Sequence, residues 1–465
     1  MFTKEEGMAR KPKTVFVCQE CGYESPKWMG QCICGAWNSF IEEKTITDAS
    51  GDRRSRSTGE TRRKSTKLAE VSSGTHERID TGIRELNRVL GGGLVKGSLT
   101  LITGEPGIGK STLILQAAAN IARSEGSVLY VSGEESEEQV KLRADRICED
   151  IPDNLYILAE TNMTNVDLAA QELKPSFVII DSIQTMFTPD IDSAPGSLSQ
   201  VRTCGNELMK LGKVYNIPIF IVAHVTKSGE LAGPKTVEHM VDCVLDFKGE
   251  RNQEIRILRC YKNRFGNTSE IGAFEMAQQG LIEIENLSKT FLEDVEDGIE
   301  GAIVTAVYEG SRPLLLEVQA LSSAANVGFA RRSAIGVDFA RLNMIIAVLE
   351  KKAGLSLLNE DIYVNIVGGL KPEGTYIDLA VALAIYSTYR GMAAPAKTIV
   401  VGEIGLTGEL RTVQNADKIV REAVRMGFEQ IIMPVKNAAK IKDAGTMKII
   451  GVKNVQEAIR VFKDS

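Results

Sequence analysis

Residues 104–111 read Gly104, Glu105, Pro106, Gly107, Ile108, Gly109, Lys110 and Ser111. This is the G-x-x-x-x-G-K-[ST] spacing, whose chemistry is the grip on a polyphosphate. The glycines let main-chain N–H groups turn inward onto phosphate oxygens. Lys110 offers a point charge to β- and γ-phosphates, and Ser111 offers a hydroxyl to Mg2+. Thr112 closes the candidate cradle. The flanking pattern separates this run from a chance glycine-rich turn. Leu99-Thr-Leu-Ile-Thr predicts a buried strand before it. Residues 111–122 predict a helix after it, whose N-terminus adds positive character where phosphate would sit.

Three further strand ends carry titratable groups. Phe177-Val-Ile-Ile-Asp181 is an apolar run ending in a carboxylate suited to holding Mg2+ through water. Tyr130-Val-Ser-Gly-Glu134-Glu135 ends in two acids, of which Glu134 is preferred as the base that orients a water. The other reading makes the pair helix N-terminal acids favoured by the dipole. Ile221-Val-Ala-His224 ends in a histidine placed to sense a γ-phosphate, or to be an ordinary strand-end residue. These sites together predict an ATP hydrolase that uses Mg2+.

Cys18, Cys21, Cys32 and Cys34 crowd the N-terminus, whereas Cys148, Cys204, Cys243 and Cys260 are scattered. A four-cysteine cluster in so short a unit predicts tetrahedral Zn2+, because nothing else there can support a fold. The second pair is Cys32-Ile-Cys34, with one intervening residue. That tighter turn gives the thiolates less freedom and makes weakened zinc binding the alternative.

These sites need elements to hold them, and 465 residues are enough for several cores. We read residues 1–43 as the zinc unit and 44–70 as a basic flexible linker. Residues 71–286 alternate strands and helices, which predicts a parallel sheet covered on both faces. Residues 287–465 form a separate α/β domain, with a strand pair at Ala302 and Leu314 and helices from Asp338 and Asp378, the latter read as an N-cap. The linker bears Arg53, Arg54, Arg56, Arg62, Arg63, Lys64 and Lys67 among small polar residues. It reads as a solvated tether or as an auxiliary phosphate-binding arm. The net charge of −6 does not advertise nucleic-acid binding, so any such contact must be local. No apolar run approaches the roughly 20 residues of a membrane span, and the start lacks a signal-peptide core, so a cytoplasmic protein is expected.

Cys18-Gln-Glu-Cys21-Gly, Trp28-Met-Gly-Gln-Cys32, the phosphate loop, Tyr130-Val-Ser-Gly-Glu-Glu-Ser, Asp192-Ser-Ala-Pro-Gly-Ser and Lys262-Asn-Arg-Phe-Gly266 carry a resemblance. Over nearly its full length the chain resembles the bacterial RadA (Sms) recombination family. The resemblance implies a zinc finger, a RecA-like ATPase domain and a Lon-protease-like domain. It implies a homo-hexameric ring that binds single-stranded DNA and branched recombination intermediates, works beside a strand-exchange recombinase and drives branch migration. In such rings Lys262 and Arg264 act on the neighbour's nucleotide, as an arginine finger does. From residue types alone they are a surface pair. The glycine-rich stretch 226–235 corresponds to a channel loop, with Lys227 and Lys235 as candidate contacts to the DNA backbone.

The last domain resembles the Lon proteolytic domain, with Tyr376 at the serine position and Asp417 at the lysine position. Lys418 is adjacent but is expected to point elsewhere. No activated nucleophile is in place, so no peptidase activity is expected. Arg331, Arg332 and Arg341 are candidate DNA-phosphate contacts, or a solvated face. Two rival functions remain: an ATP-dependent peptidase, and a RecA-like regulatory ATPase or kinase assembly without DNA.

Overall fold

A computed structural model describes residues 13–18, 23–35, 37, 39–45, 67, 77–224, 232–249, 255–293, 295–296, 298–325, 330–367, 371–372 and 374–464. Cys21, Lys227 and the linker cations other than Lys67 lie outside these residues. The chain divides into two compact units, residues 1–283 and 284–465.

The first unit opens with a small antiparallel sheet in the order Glu24–Ser25, Lys13–Cys18, Phe40–Thr45. Its last strand runs to Thr45, into the segment read as linker. Cys18, Cys32 and Phe40 are buried, with Phe16 and Met29 packed against them. That core is too small to hold a fold unaided.

The main sheet of this unit has nine strands. Leu155–Ala159, Val128–Ser132, Phe177–Asp181, Ile219–Val222, Leu99–Gly104 and Cys243–Lys248 run parallel in that order. Ile255–Asn263, Ile271–Ala277 and Gly280–Glu283 then extend one edge as an antiparallel meander. The βα rhythm predicted the parallel part. The meander departs from it because its strands are joined by short turns, and short turns can only reverse the chain.

The central strands read as unbroken apolar runs because both faces are covered. Leu99 and Leu101 enter one core with Val178, Ile180 and Leu208. Ile102 enters the opposite core with Ile114, Ala118 and Phe177. Helix starts are capped as their sequences ask. Ser136 and Gln139 form a capping box, and Asn162 and Ser197 cap the helices that follow them.

The second unit carries a seven-stranded mixed sheet in the order Arg332–Ile335, Glu360–Ile366, Arg312–Ala324, Ala302–Glu309, Thr398–Val400, Gln430–Pro434, Lys448–Val452. Helix Phe339–Ala353 is capped by Asp338, whose carboxylate accepts from Arg341 N at 2.8 Å. Asp378 is not the cap of its helix. Ile377 holds that position without a side-chain bond, and Asp378 is the first helical residue. Its carboxylate is buried and already engaged, by a bidentate contact from Arg341 and by Ile404 N at 3.0 Å. Arg341 is therefore not a free phosphate contact. Its guanidinium closes an internal pair whose disruption would leave a buried charge unmatched.

Candidate nucleotide site and metal ribbon

Strand Leu99–Gly104 is buried throughout and delivers its last residue to the loop. Gly104 sits at φ 152°, and a Cβ there would lie 2.6 Å from the Phe247 carbonyl. Only glycine fits that approach. Glu105 is half-buried, Pro106 and Gly107 are exposed, and Ile108 anchors the loop inward. Gly109, at φ 113°, precedes helix Lys110–Glu125, so the helix N-terminus opens on the loop. Ser111 and Thr112 are half-buried in its first turn. Lys110 is 3% exposed. Its ammonium donates to the carbonyls of Gly104 at 2.8 Å and Glu105 at 3.0 Å. Burial pushes its pKa down to about 8, against the pull of Asp181, Glu134 and Asp246.

Strand pairing gathers the other groups. Ser132 lies beside Asp181, and Tyr130 beside Ile179. The Tyr130 hydroxyl reaches Asp181 Oδ2 at 2.5 Å. Burial, then the Asp181 charge, hold that phenol well above its usual range, so it remains the donor. Glu134 and Glu135 precede the helix rather than sitting in its first turn, which Glu137 and Glu138 occupy. They also separate in role. Glu135 pairs with Arg143, while Glu134 accepts a hydrogen bond from Ser182 and faces His224 Nε2 at 3.4 Å. Burial, then Lys110, lower the His224 pKa, while Glu134 and Asp181 oppose the shift. Tyr130, Ser182 and the buried Asp246, which takes a 2.9 Å bond from Thr103, escaped sequence reasoning. An apolar strand with one tyrosine or aspartate carries no signal until its neighbours are known.

Lys262 and Arg264 are not beside this chain's own loop. Lys262 donates to the carbonyls of Glu238 at 2.7 Å and His239 at 3.2 Å. Arg264 pairs with Asp242 at 3.0 Å, and Asp242 is bonded through its main chain to Leu99 O. Both cations thus sit where the loop strand begins. Its far end, Gly104, lies five residues on, or ~17 Å at strand rise.

Three family models match. An "AAA domain" covers residues 64–230, a "Rubredoxin metal binding domain" residues 16–42, and "Subunit ChlI of Mg-chelatase" residues 319–437. The chain is 50% identical over 453 residues to the DNA repair protein RadA of Bacillus subtilis (strain 168), covering 97% of this chain and 98% of that protein. It is 50% identical to the RadA of Halalkalibacterium halodurans, covering 98% of this chain and 99% of that one. It is 48% identical to the RadA of Listeria monocytogenes serovar 1/2a, covering 97% and 98%. The chain belongs to the RadA family. Its ATPase domain is RecA-like and binds nucleotide, its N-terminus is a metal-binding ribbon, and its C-terminal domain is of the ChlI and Lon kind.

The sulfurs of Cys18, Cys32 and Cys34 lie within 4.8 Å of one another. Cys18 Sγ and Cys34 Sγ are 3.8 Å apart, close to the ~3.8 Å that two zinc–sulfur bonds at the tetrahedral angle require. The shortened Cys32-x-Cys34 turn therefore still brings both sulfurs into one set, and the donors fit Zn2+. Cys34 is exposed. Its replacement by serine should cut bound zinc from one equivalent to well below half in a metal assay of the purified chain. Full retention would contradict its role as a ligand.

Lys235 is exposed on helix Ala232–Met240. Arg331 is exposed, its main-chain N–H bonded to Asp361 at 2.6 Å. Arg332 is half-buried, and its guanidinium donates to the carbonyls of Glu360 and Leu357. In the same unit Tyr376 is half-buried, and burial raises its pKa. Asp417 pairs with Arg421, and Lys418 lies 5.6 Å over the Tyr308 ring. Among the described residues no helix is long and apolar enough to cross a membrane.

Proposed function

We propose that this chain is a DNA-dependent ATPase of homologous recombination and DNA repair. It promotes branch migration by ATP-driven movement on single-stranded DNA, in the cytoplasm. The observation that carries the reading is the loop ammonium of Lys110, poised over a helix N-terminus and ringed by Asp181, Glu134 and His224. The full-length likeness to DNA repair proteins named RadA supplies the setting.

In this account residues 104–112 cradle the phosphates, and Lys110 leaves its two carbonyls for the β- and γ-phosphates. The Ser111 hydroxyl and the Asp181 carboxylate are hard oxygen donors that suit Mg2+. When bound, that ion would neutralise charge developing on the phosphates. Tyr130 donates to Asp181 and aims its carboxylate. Glu134 orients and deprotonates water, and Ser182 and His224 fix its carboxylate. Lys262 and Arg264 serve the nucleotide of an adjacent subunit in a homo-hexameric ring. Lys227, Lys235, Arg331 and Arg332 touch DNA phosphates, beside a strand-exchange recombinase. The C-terminal domain serves assembly and DNA contact, because Tyr376 and Asp417 supply neither nucleophile nor base for peptide cleavage.

Single-stranded DNA should raise ATP turnover several-fold at low salt, and the effect should fade as salt rises, because phosphate contacts release counterions. Turnover indifferent to DNA at every salt concentration would favour the regulatory assembly instead.

Lys110 also gives the site a pH signature. Its free-state pKa is about 8, and phosphate must raise it. The protonated form binds, so affinity is flat below pH 8 and falls as pH rises past it. One-proton linkage makes ATP binding about tenfold weaker at pH 9 than at pH 7. Calorimetric dissociation constants across that range check it, and a flat profile would contradict the lowered pKa.

A further inference from the structure

Two buried polar atoms beside the nucleotide site have no hydrogen-bond partner among the described residues. They are Oε1 of Gln184 and Nδ1 of His224. Unpaired buried polar atoms are rare in folded chains, and these two belong to residues that already touch. Gln184 Nε2 donates to the His224 carbonyl at 3.1 Å. The turn carrying Gln184 is itself docked, since Ile183 N donates to Val222 O at 3.0 Å and Thr185 Oγ1 donates to Ser182 O at 2.9 Å.

The far edge of the imidazole faces a carboxylate, with Nε2 3.4 Å from Glu134 Oε2. That contact places a proton on Nε2 in the neutral ring. Among the described residues Nδ1 is then an acceptor without a donor, and in the doubly protonated ring it is a donor without an acceptor. A carboxamide carries one group of each kind on a single rotatable end. One N–H can donate to Nδ1 of the neutral ring while the other keeps the His224 carbonyl, and the amide turned over can accept from Nδ1 of the doubly protonated ring in place of the carbonyl bond, which neither a carboxylate nor a thioether can do.

We propose that Gln184 is a positioning residue whose carboxamide, bonded to the His224 carbonyl, supplies the partner of Nδ1, from an N–H for the neutral ring and from Oε1 for the protonated ring, keeping Nε2 aimed at Glu134 through the ATP cycle. This rests on the reading of Glu134 and His224 as γ-phosphate-side groups. It names a residue that no motif marks.

Two variants test it in the full-length chain. Gln184→Met keeps the side-chain size and removes both groups, and Gln184→Glu keeps only an acceptor. The chain has three histidines, so the His224 ring can be assigned by nitrogen NMR with a His224→Gln control. Nucleotide-free wild type should show one tautomer, protonated on Nε2. Gln184→Met should show mixed tautomers, and Gln184→Glu should draw a proton onto Nδ1. In turnover, Gln184→Met should lower kcat about tenfold, the scale of a misplaced catalytic group, with KM for ATP within about twofold. A single unchanged tautomer in both variants overturns the proposal, whatever happens to kcat. An unchanged kcat in Gln184→Met also overturns it. Wild type that hydrolyses no ATP would sink the underlying reading instead, and the nucleotide-free spectra would still decide the Gln184 contact.

Discussion

Arg264→Ala should lower ATP turnover by about 10³-fold or more, the range over which arginine fingers act. It should do so without weakening the phosphate grip of its own subunit. The reason is positional. Arg264 is tied to Asp242, at the edge where strand Leu99–Gly104 begins. The phosphate loop leaves the opposite edge, out of reach of this guanidinium. In the proposed ring this guanidinium would act on hydrolysis across a subunit boundary. A mixture of inactive Arg264→Ala and inactive Lys110→Ala chains should regain part of the activity. Some mixed interfaces would then pair an intact loop with an intact finger. Steady-state turnover of the two variants, alone and mixed, measures this. A mixture as inactive as its components would contradict action in trans, and full activity of Arg264→Ala alone would remove the finger altogether.

Lys110→Ala should lower turnover by at least ~10²–10³-fold, the cost of losing one preorganised group at developing charge. Alanine is the best helix former, so helix Lys110–Glu125 should persist and circular dichroism should be unchanged. The loss is then chemical rather than a failure to fold. Lys110 is 3% exposed, and among the described residues its ammonium is bonded to the Gly104 and Glu105 carbonyls of its own loop. Those two carbonyls release it without breaking any element of structure. Retained hydrolysis in a folded Lys110→Ala chain would overturn the assignment of the loop.

What could be read from residues alone followed from contiguity. The loop is eight consecutive residues between a strand and a helix, and each member's role follows from its own chemistry. Asp181, Glu134 and His224 were legible because each ends an apolar run. Their partners were not. Tyr130 serves Asp181 only because strand Val128–Ser132 pairs with Phe177–Asp181 in a register that sets Ser132 against Asp181. Ser182 serves Glu134, and Asp246 holds Thr103, for the same kind of reason. Strand order across a sheet is long-range information that periodicity does not carry.

The misreadings share a cause. Asp378 has the residue type of a cap, and Arg341 that of a phosphate contact, yet each side chain is consumed by the other. Residue type gives the menu of contacts, and packing chooses among them. The antiparallel meander at the sheet edge was missed because its strands lack the helices that made the other six conspicuous.

The most direct test is an equilibrium titration of Mg-ATP into purified, folded chain, read by calorimetry. The account predicts saturable uptake of one nucleotide per chain by the wild type and none measurable at the same concentrations by Lys110→Ala. Equal uptake by both, or none by either, would contradict it.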